Sequence, residues 1–250
     1  MRTGKYRIAG VVVEIDSIYK GVHYQCSDFA CREDTPAQVQ ICITPEDIQN
    51  EQRLSDREAI REGKEPKEYL PPYLESLAVY RKLAEIMLLQ QDILLFHGSA
   101  VAVDDRGVLF TAVSGTGKST HTALWRQLLG ERCTMINDDK PMLRIGGDDV
   151  QVCGTPWNGK HNLGTNCMVP LQAVCILERG KENCIQRLTA AQALPHLLQQ
   201  SFRPEDSRAM PQLLSLLDRM AKHVAFYRLQ CNMEPAAAVL SYETMLGKEK

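Results

Sequence analysis

Hydrophobic and polar residues change period several times along this chain, and each change marks an element. Tyr6-Arg7-Ile8-Ala9-Gly10-Val11-Val12-Val13 reads as a strand. Val39-Gln40-Ile41-Cys42-Ile43 alternates more cleanly, and Pro45 stops it. Thr44 is placed to cap a short helix, with Pro45 at its first position and Glu46-Asp47 in its first turn. Residues 51–68 are densely charged and hold Gly63 and Pro66, the pattern of an exposed connecting segment. Pro71-Pro72 then opens a helix over Tyr73 to Gln90, with Leu74, Leu77, Ala78, Leu83, Ile86 and Met87 forming an apolar stripe for core packing.

Beyond it the pattern is that of alternating strands and helices. Ile93 to Phe96, Ser99 to Val103 and Val108 to Val113 read as strands, the last two joined as a hairpin across Asp104-Asp105-Arg106-Gly107. A helix runs to about Leu129 and stops at Gly130. Cys133 to Ile136 is a short buried strand, and Met142 to Ile145 with Val150 to Val152 forms a second hairpin. Leu171 to Leu177 is a strand, helices follow from Thr189 and from Pro204 to about Lys222, Val224 to Leu229 is a last strand, and Pro235 opens a final helix. The expected architecture is thus an α/β fold, a mixed sheet with flanking helices. A β-rich N-terminal region with a linking helix occupies residues 1–90 and the main core residues 91–250.

Composition narrows the function classes. A length of 250 residues is enough for a sizeable core, and 44% hydrophobic with 24% charged residues is ordinary for a globular chain. The formal net charge of -2 advertises neither nucleic acid nor an anionic membrane as partner. No run approaches the roughly 18 apolar residues of a membrane span. The basic start Met1-Arg2-Thr3-Gly4-Lys5 precedes too short an apolar run for a signal peptide. Nine cysteines without a CxxC pair fit reduced thiols in the cytoplasm.

The strongest chemical signal is Ala112-Val113-Ser114-Gly115-Thr116-Gly117-Lys118-Ser119, which has the spacing of a Walker A loop between an apolar strand and a helix. Gly115 and Gly117 let the backbone turn its N–H groups inward, and the following helix aims its positive end at the same point. Lys118 is placed for the β- and γ-phosphates of ATP and Ser119 for Mg²⁺, with Ser114, Gly115, Thr116, Gly117 and Thr120 completing the nucleotide contacts. Asp138-Asp139 closes an apolar strand about 20 residues on, where a carboxylate ligates Mg²⁺ and its neighbour can take a proton. Further candidates are His97, between two β-runs, and the Gly154-Thr155-Pro156-Trp157-Asn158-Gly159-Lys160-His161 loop. That loop offers Trp157, Lys160 and His161 to a substrate, or else tucks Trp157 into the core; Arg203 or Arg208 is a candidate phosphate clamp.

Phe96-His97-Gly98 through Ser119, followed by Ile136-Asn137-Asp138-Asp139, resembles the HPr kinase/phosphorylase-like proteins of the phosphoenolpyruvate carboxykinase-type P-loop superfamily. The motifs span about residues 93–180, and residues 1–90 carry none. Thr120-His121 follow the loop where those kinases usually have Glu, Ala112 replaces the first glycine, and the Gly-Thr-Pro-Trp segment is similar to one in a divergent branch. The resemblance implies a P-loop kinase core that binds ATP and Mg²⁺ and transfers the γ-phosphoryl group to a hydroxyl, most readily a serine of a protein or peptide. It implies that Asp138 or Asp139 activates that hydroxyl with support from His97, and leaves open which. A metabolite kinase and a nucleotide-binding regulator without chemistry are the alternatives. The oligomeric state stays open, a homo-oligomer included.

Overall fold

The computed structural model describes residues 2–61, 63–159, 161–204 and 206–247. The chain forms two compact units, Met1–Ile86 and Met87–Lys250. In the first, β1 (Arg2–Ile8) and β2 (Val11–Ser17) form a hairpin. The sequence pattern reads as one strand here, but Ala9 and Gly10 both take positive φ, 49° and 81°, the requirement of a type I′ turn. After a short helix α1 (Gly21–Gln25), β3 (Val39–Cys42) pairs with β2 in parallel. The alternate residues Tyr6, Ile8, Val13, Ile15, Val39 and Ile41 are buried.

Helix α2 (Pro45–Arg61) is longer than the short helix expected, and takes up most of the segment expected to be an exposed connection. Charge pairing rather than apolar burial holds it. Buried Glu51 pairs with Arg81 at 2.7 Å, and Asp47 with Lys82 at 2.7 Å. Its start matches expectation: the Asp47 amide donates to Thr44 Oγ1 at 3.3 Å, and the Thr44 amide returns a bond to Asp47 Oδ2. Both cations belong to α3 (Pro71–Gln90), within which the division between the units falls.

The second unit is built on one nine-stranded mixed sheet. Its elements are β4 (Ile93–Leu95), β5 (Ser99–Val103), β6 (Arg106–Thr111), α4 (Lys118–Leu129), β7 (Cys133–Asn137), β8 (Met142–Ile145), β9 (Val150–Cys153) and β10 (Met168–Arg179). Then come β11 (Cys184–Leu188), α5 (Ala190–Gln200), α6 (Met210–His223), β12 (Ala225–Cys231) and α7 (Pro235–Met245). The twelve-residue β10 is the seam. Met168–Pro170 runs antiparallel to β9, and beyond an irregularity at Leu171/Ala173 the strand runs parallel to β6 and β12.

One apolar cluster, including Leu109, Val174, Leu197, Leu217 and Phe226, packs with α5 and α6. The other, including Phe110, Trp125, Cys175 and Leu229, packs with α4 and α7. Trp125 is fully buried and stacks edge-on against Phe110, ring centroids 5.2 Å apart.

Two elements of this second unit differ from expectation. Helix α6 starts at Met210, not at Pro204: Pro211 lacks an N–H and is accommodated in a first turn, so a helix from Pro204 would carry it in its interior. Strand β11 has too few apolar residues to be read as a strand, because it is an edge that pairs only with β12. Among the described residues no helix is long and apolar enough to cross a membrane.

Candidate active site

Strand β6 delivers the chain into the loop, and α4 begins at Lys118. Gly115 and Gly117 hold φ of 80° and 120°, and a Cβ on either would meet nothing within 4 Å. Backbone conformation, not crowding, therefore requires glycine, and the space over the loop is open to a ligand. Two cations reach the loop from within the unit. Lys118 Nζ folds back onto the Ala112 carbonyl at 3.2 Å, and Arg179, at the end of β10, donates from Nη2 to the Gly115 carbonyl at 2.7 Å. Loss of water pushes the Lys118 pKa down, with Lys140 adding to the effect and Asp139 and Asp138 opposing it. An ammonium with three donors has one hydrogen-bond acceptor here among the described residues. Ser114, Ser119 and Thr120 are exposed, and Thr116 is half-buried.

The start of α4 separates two hollows. One, of about 410 Å³, lies against Gly115, Thr116, Gly117, Thr120, His121 and Leu124, and is closed by Leu177, Arg179, Asn232 and Met233. The other, of about 540 Å³, follows the face of α4 that carries Ser119, Thr122, Ala123 and Arg126, with Met135, Asp138, His161 and Leu163 opposite. Ser119, Asp138 and His161 are thus brought to one space.

The two carboxylates have different surroundings. Asp138 is buried, and its Oδ1 accepts from Ser99 Oγ at 2.8 Å. Asp139 is part-exposed, 3.5 Å from His97 Nε2 and 3.6 Å from Lys140 Nζ. His97 Nδ1 donates to Gln200 Oε1 at 2.9 Å, which leaves Nε2 as the basic nitrogen facing Asp139. Burial first, then the charges of Lys140 and Lys118, push the His97 pKa down to about 4, against the pull of Asp139 and Gln200. At neutral pH the uncharged ring therefore turns an unprotonated Nε2 toward Asp139, and the 3.5 Å approach is neither an ion pair nor a hydrogen bond.

Asn137 organises the backbone of the Asp-Asp turn. Its Oδ1 accepts from the Asp139 and Lys140 amides at 2.8 and 2.6 Å, while Nδ2 donates to the Thr155 and Trp157 carbonyls and to Thr155 Oγ1. One fully buried amide thus ties the Asp-Asp turn to the 154–161 loop. Gly154 is required there: a Cβ would lie 2.0 Å from the Thr165 carbonyl oxygen.

The remaining candidates are dispersed. Trp157 is buried, so its ring serves packing. Lys160 lies outside the described residues. Arg203 is exposed, one residue beyond Phe202, whose amide bonds the Leu95 carbonyl. Sequence reasoning missed Ser99, Arg126, Lys140, Arg179 and Gln200. The Arg179 and Gln200 contacts cross 64 and 103 residues, so no local pattern carries them. Asn137 was legible as an amide at the end of a buried strand, but its five partners were not.

No family model matches the chain, and no curated protein matches it. Among solved structures, the chain is similar to the Hpr(Ser) kinase/phosphatase from Coxiella burnetii at 11% identity, covering 61% of this chain and 97% of that one, with a TM-score of 0.36. So distant a likeness carries no weight for fold or chemistry, which rest on the loop, the carboxylates and the two hollows themselves.

Proposed function

We propose that the chain is an ATP-dependent kinase that transfers the γ-phosphoryl group to a hydroxyl, with a serine of a protein or peptide as the first-choice acceptor. One observation carries this: an open phosphate loop stands beside a buried carboxylate that shares a hollow with the loop's own serine. The loop amides, the α4 N-terminus and Lys118 would bind the triphosphate. Leu124, Leu177 and Met233 offer apolar walls for a nucleoside in the smaller hollow. Ser119 and a carboxylate would hold Mg²⁺, which supplies charge neutralisation at the phosphates.

Asp138 lines the larger hollow and is the group placed to take the acceptor's proton. As it does so, the acceptor oxygen forms a bond to the γ-phosphorus, the bond to the bridging oxygen breaks, and ADP leaves. By elimination Asp139, set beside His97 and Lys140, is then the carboxylate left for the metal. A small-molecule alcohol is the second reading, because about 540 Å³ falls within the usual range of small-molecule pockets.

The test is ADP formation with a panel of hydroxyl acceptors, for wild type, Asp138→Asn and Asp139→Asn. Asp138→Asn should lower transfer by about 10²–10⁴-fold while still binding ADP. Asp139→Asn should raise the Mg²⁺ concentration needed. A wild-type protein with no affinity for any nucleotide in the presence of Mg²⁺ would sink the proposal; nucleotide binding without transfer to any acceptor would favour a regulator.

A further inference from the structure

Arg126 stands apart from the other cations of the site. It lies on the α4 face that lines the larger hollow, seven residues beyond Ser119. Its Nε is shut off from water and has no hydrogen-bond acceptor, and among the described residues no carboxylate pairs with it. A guanidinium presents five donors in a rigid fork suited to a carboxylate or phosphate. A buried guanidine N–H left without an acceptor is costly. The other arginine at the loop, Arg179, is already engaged with the Gly115 carbonyl. Nε itself is closed to solvent, so the donors that meet the hollow are those on Nη1 and Nη2, at the tip of a side chain that lines it.

Position separates an oxyanion held there from the nucleotide. The phosphate loop lies beyond the N-terminal end of α4, whereas Arg126 lies about 10 Å along the axis from Ser119 in the opposite direction, at 1.5 Å per residue. Helical side chains lean back toward the N-terminus, so the guanidinium stands nearer Ser119 than this axial distance. We propose that Arg126 holds an anionic group of the phosphoryl acceptor, a carboxylate or phosphate, in the same hollow in which Asp138 meets its hydroxyl. In an extended peptide at about 3.3–3.6 Å per residue, the separation corresponds to an acidic side chain or C-terminal carboxylate one to three residues from the serine. In a small molecule it is a phosphate or carboxylate several bonds from the alcohol. The inference deepens the kinase reading and rests on it for the word acceptor, but not for the binding of the anion.

The first experiment needs no turnover. Protein saturated with ADP and Mg²⁺, so that the loop is occupied, is titrated with inorganic phosphate and separately with acetate, while the ¹⁵Nε–¹Hε resonance of Arg126 is followed by NMR. A saturable shift of that resonance, with the titration lost in Arg126→Gln by calorimetry, is the expected result. A resonance that neither anion moves overturns the inference. The kinase reading fails separately, by absence of ADP binding. The second experiment compares serine peptides that end in a free carboxylate or a carboxamide, and glycerol 3-phosphate with glycerol. Arg126→Gln should raise KM for the anionic member that reacts by about tenfold or more, with kcat little changed and neutral acceptors unaffected. Arg126→Lys should restore part of the loss. The reactive pair tells a peptide from a metabolite. An equal loss on charged and neutral acceptors would make Arg126 a structural residue and overturn the assignment.

Discussion

At the scale of single residues, Gly117 and His121 make the sharpest demands. Gly117 has room for a methyl group but not the backbone for one, at φ 120°. Gly117→Ala should therefore cost about 1–2 kcal/mol of stability by strain and, under the kinase reading, weaken ADP binding by calorimetry, although nothing collides with the new carbon. His121 is fixed by the partner of its ring. Ser241 Oγ donates to the Ala238 carbonyl and accepts from Trp125 Nε1, so it meets His121 Nε2, 3.0 Å away, as an acceptor. The proton sits on Nε2, and Nδ1 is left without a partner inside the protein. Burial pushes the His121 pKa down to about 4. In the unfolded chain it lies near 6.5, so between these values the unfolded state binds the extra proton. Stability is complete above about pH 6.5, falls as pH drops toward 4, and levels off below, a loss of about 3 kcal/mol at 1.36 per pKa unit. Urea midpoints across that window should slope less steeply in His121→Asn, with His97, pushed down over the same range, carrying the rest. An unchanged slope would mean that this ring is not the group responsible.

Elements set how far a local change spreads. The turn after β7 and the loop after β9 are separate in sequence and share one amide, Asn137. Asn137→Ala would remove the bond that Asn137 makes to the Asp139 and Lys140 amides and to the Thr155 carbonyl, at about 1–3 kcal/mol for each group left with no other partner. The expected outcome is a fall in unfolding free energy of more than about 2 kcal/mol, together, under the kinase reading, with lost transfer activity as the Asp-Asp turn shifts. Asn137→Asp keeps the acceptor for the two amides and removes the donors, so it should lose less activity. Equal stability in Asn137→Ala and wild type would show that the loop holds the turn by other means. Helix α5 acts on the site from farther away. It is capped by Thr189 and Gln192 in a reciprocal pair, and its last residue, Gln200, bonds His97 through both side chain and backbone.

For the whole molecule, the two-unit construction separates the probes. Both tryptophans, Trp125 and Trp157, belong to the unit Met87–Lys250, which also holds the phosphate loop. Tryptophan fluorescence therefore follows that unit alone. Under the kinase reading, ADP with Mg²⁺ at a hundredfold excess over Kd should stabilise it by about 2.7 kcal/mol and raise its melting temperature. A tryptophan transition indifferent to nucleotide would count against the reading. Trp125 packs between Phe110 and Tyr242 with its indole N–H on Ser241. Its replacement by alanine should cost about 3–5 kcal/mol in the same assay.

What the sequence determined by itself was local. The spacing of Gly115, Gly117, Lys118 and Ser119 between a strand and a helix, the caps at Thr44 and Thr189, and the strands on either side of the loop follow from short-range rules of conformation and burial. The same rules failed where two apolar runs met at Ala9-Gly10, where charge held α2 together, and where an edge strand needed few apolar residues. The structure alone decided which distant residues converge: Arg179 on the loop, Gln200 on His97, Ser99 on Asp138, and Arg126 in the hollow with Ser119. Those contacts depend on sheet order and on the turn of β10 between two sets of partners. No periodicity in a single segment encodes them, because each partner lies in an element whose own pattern is satisfied without it.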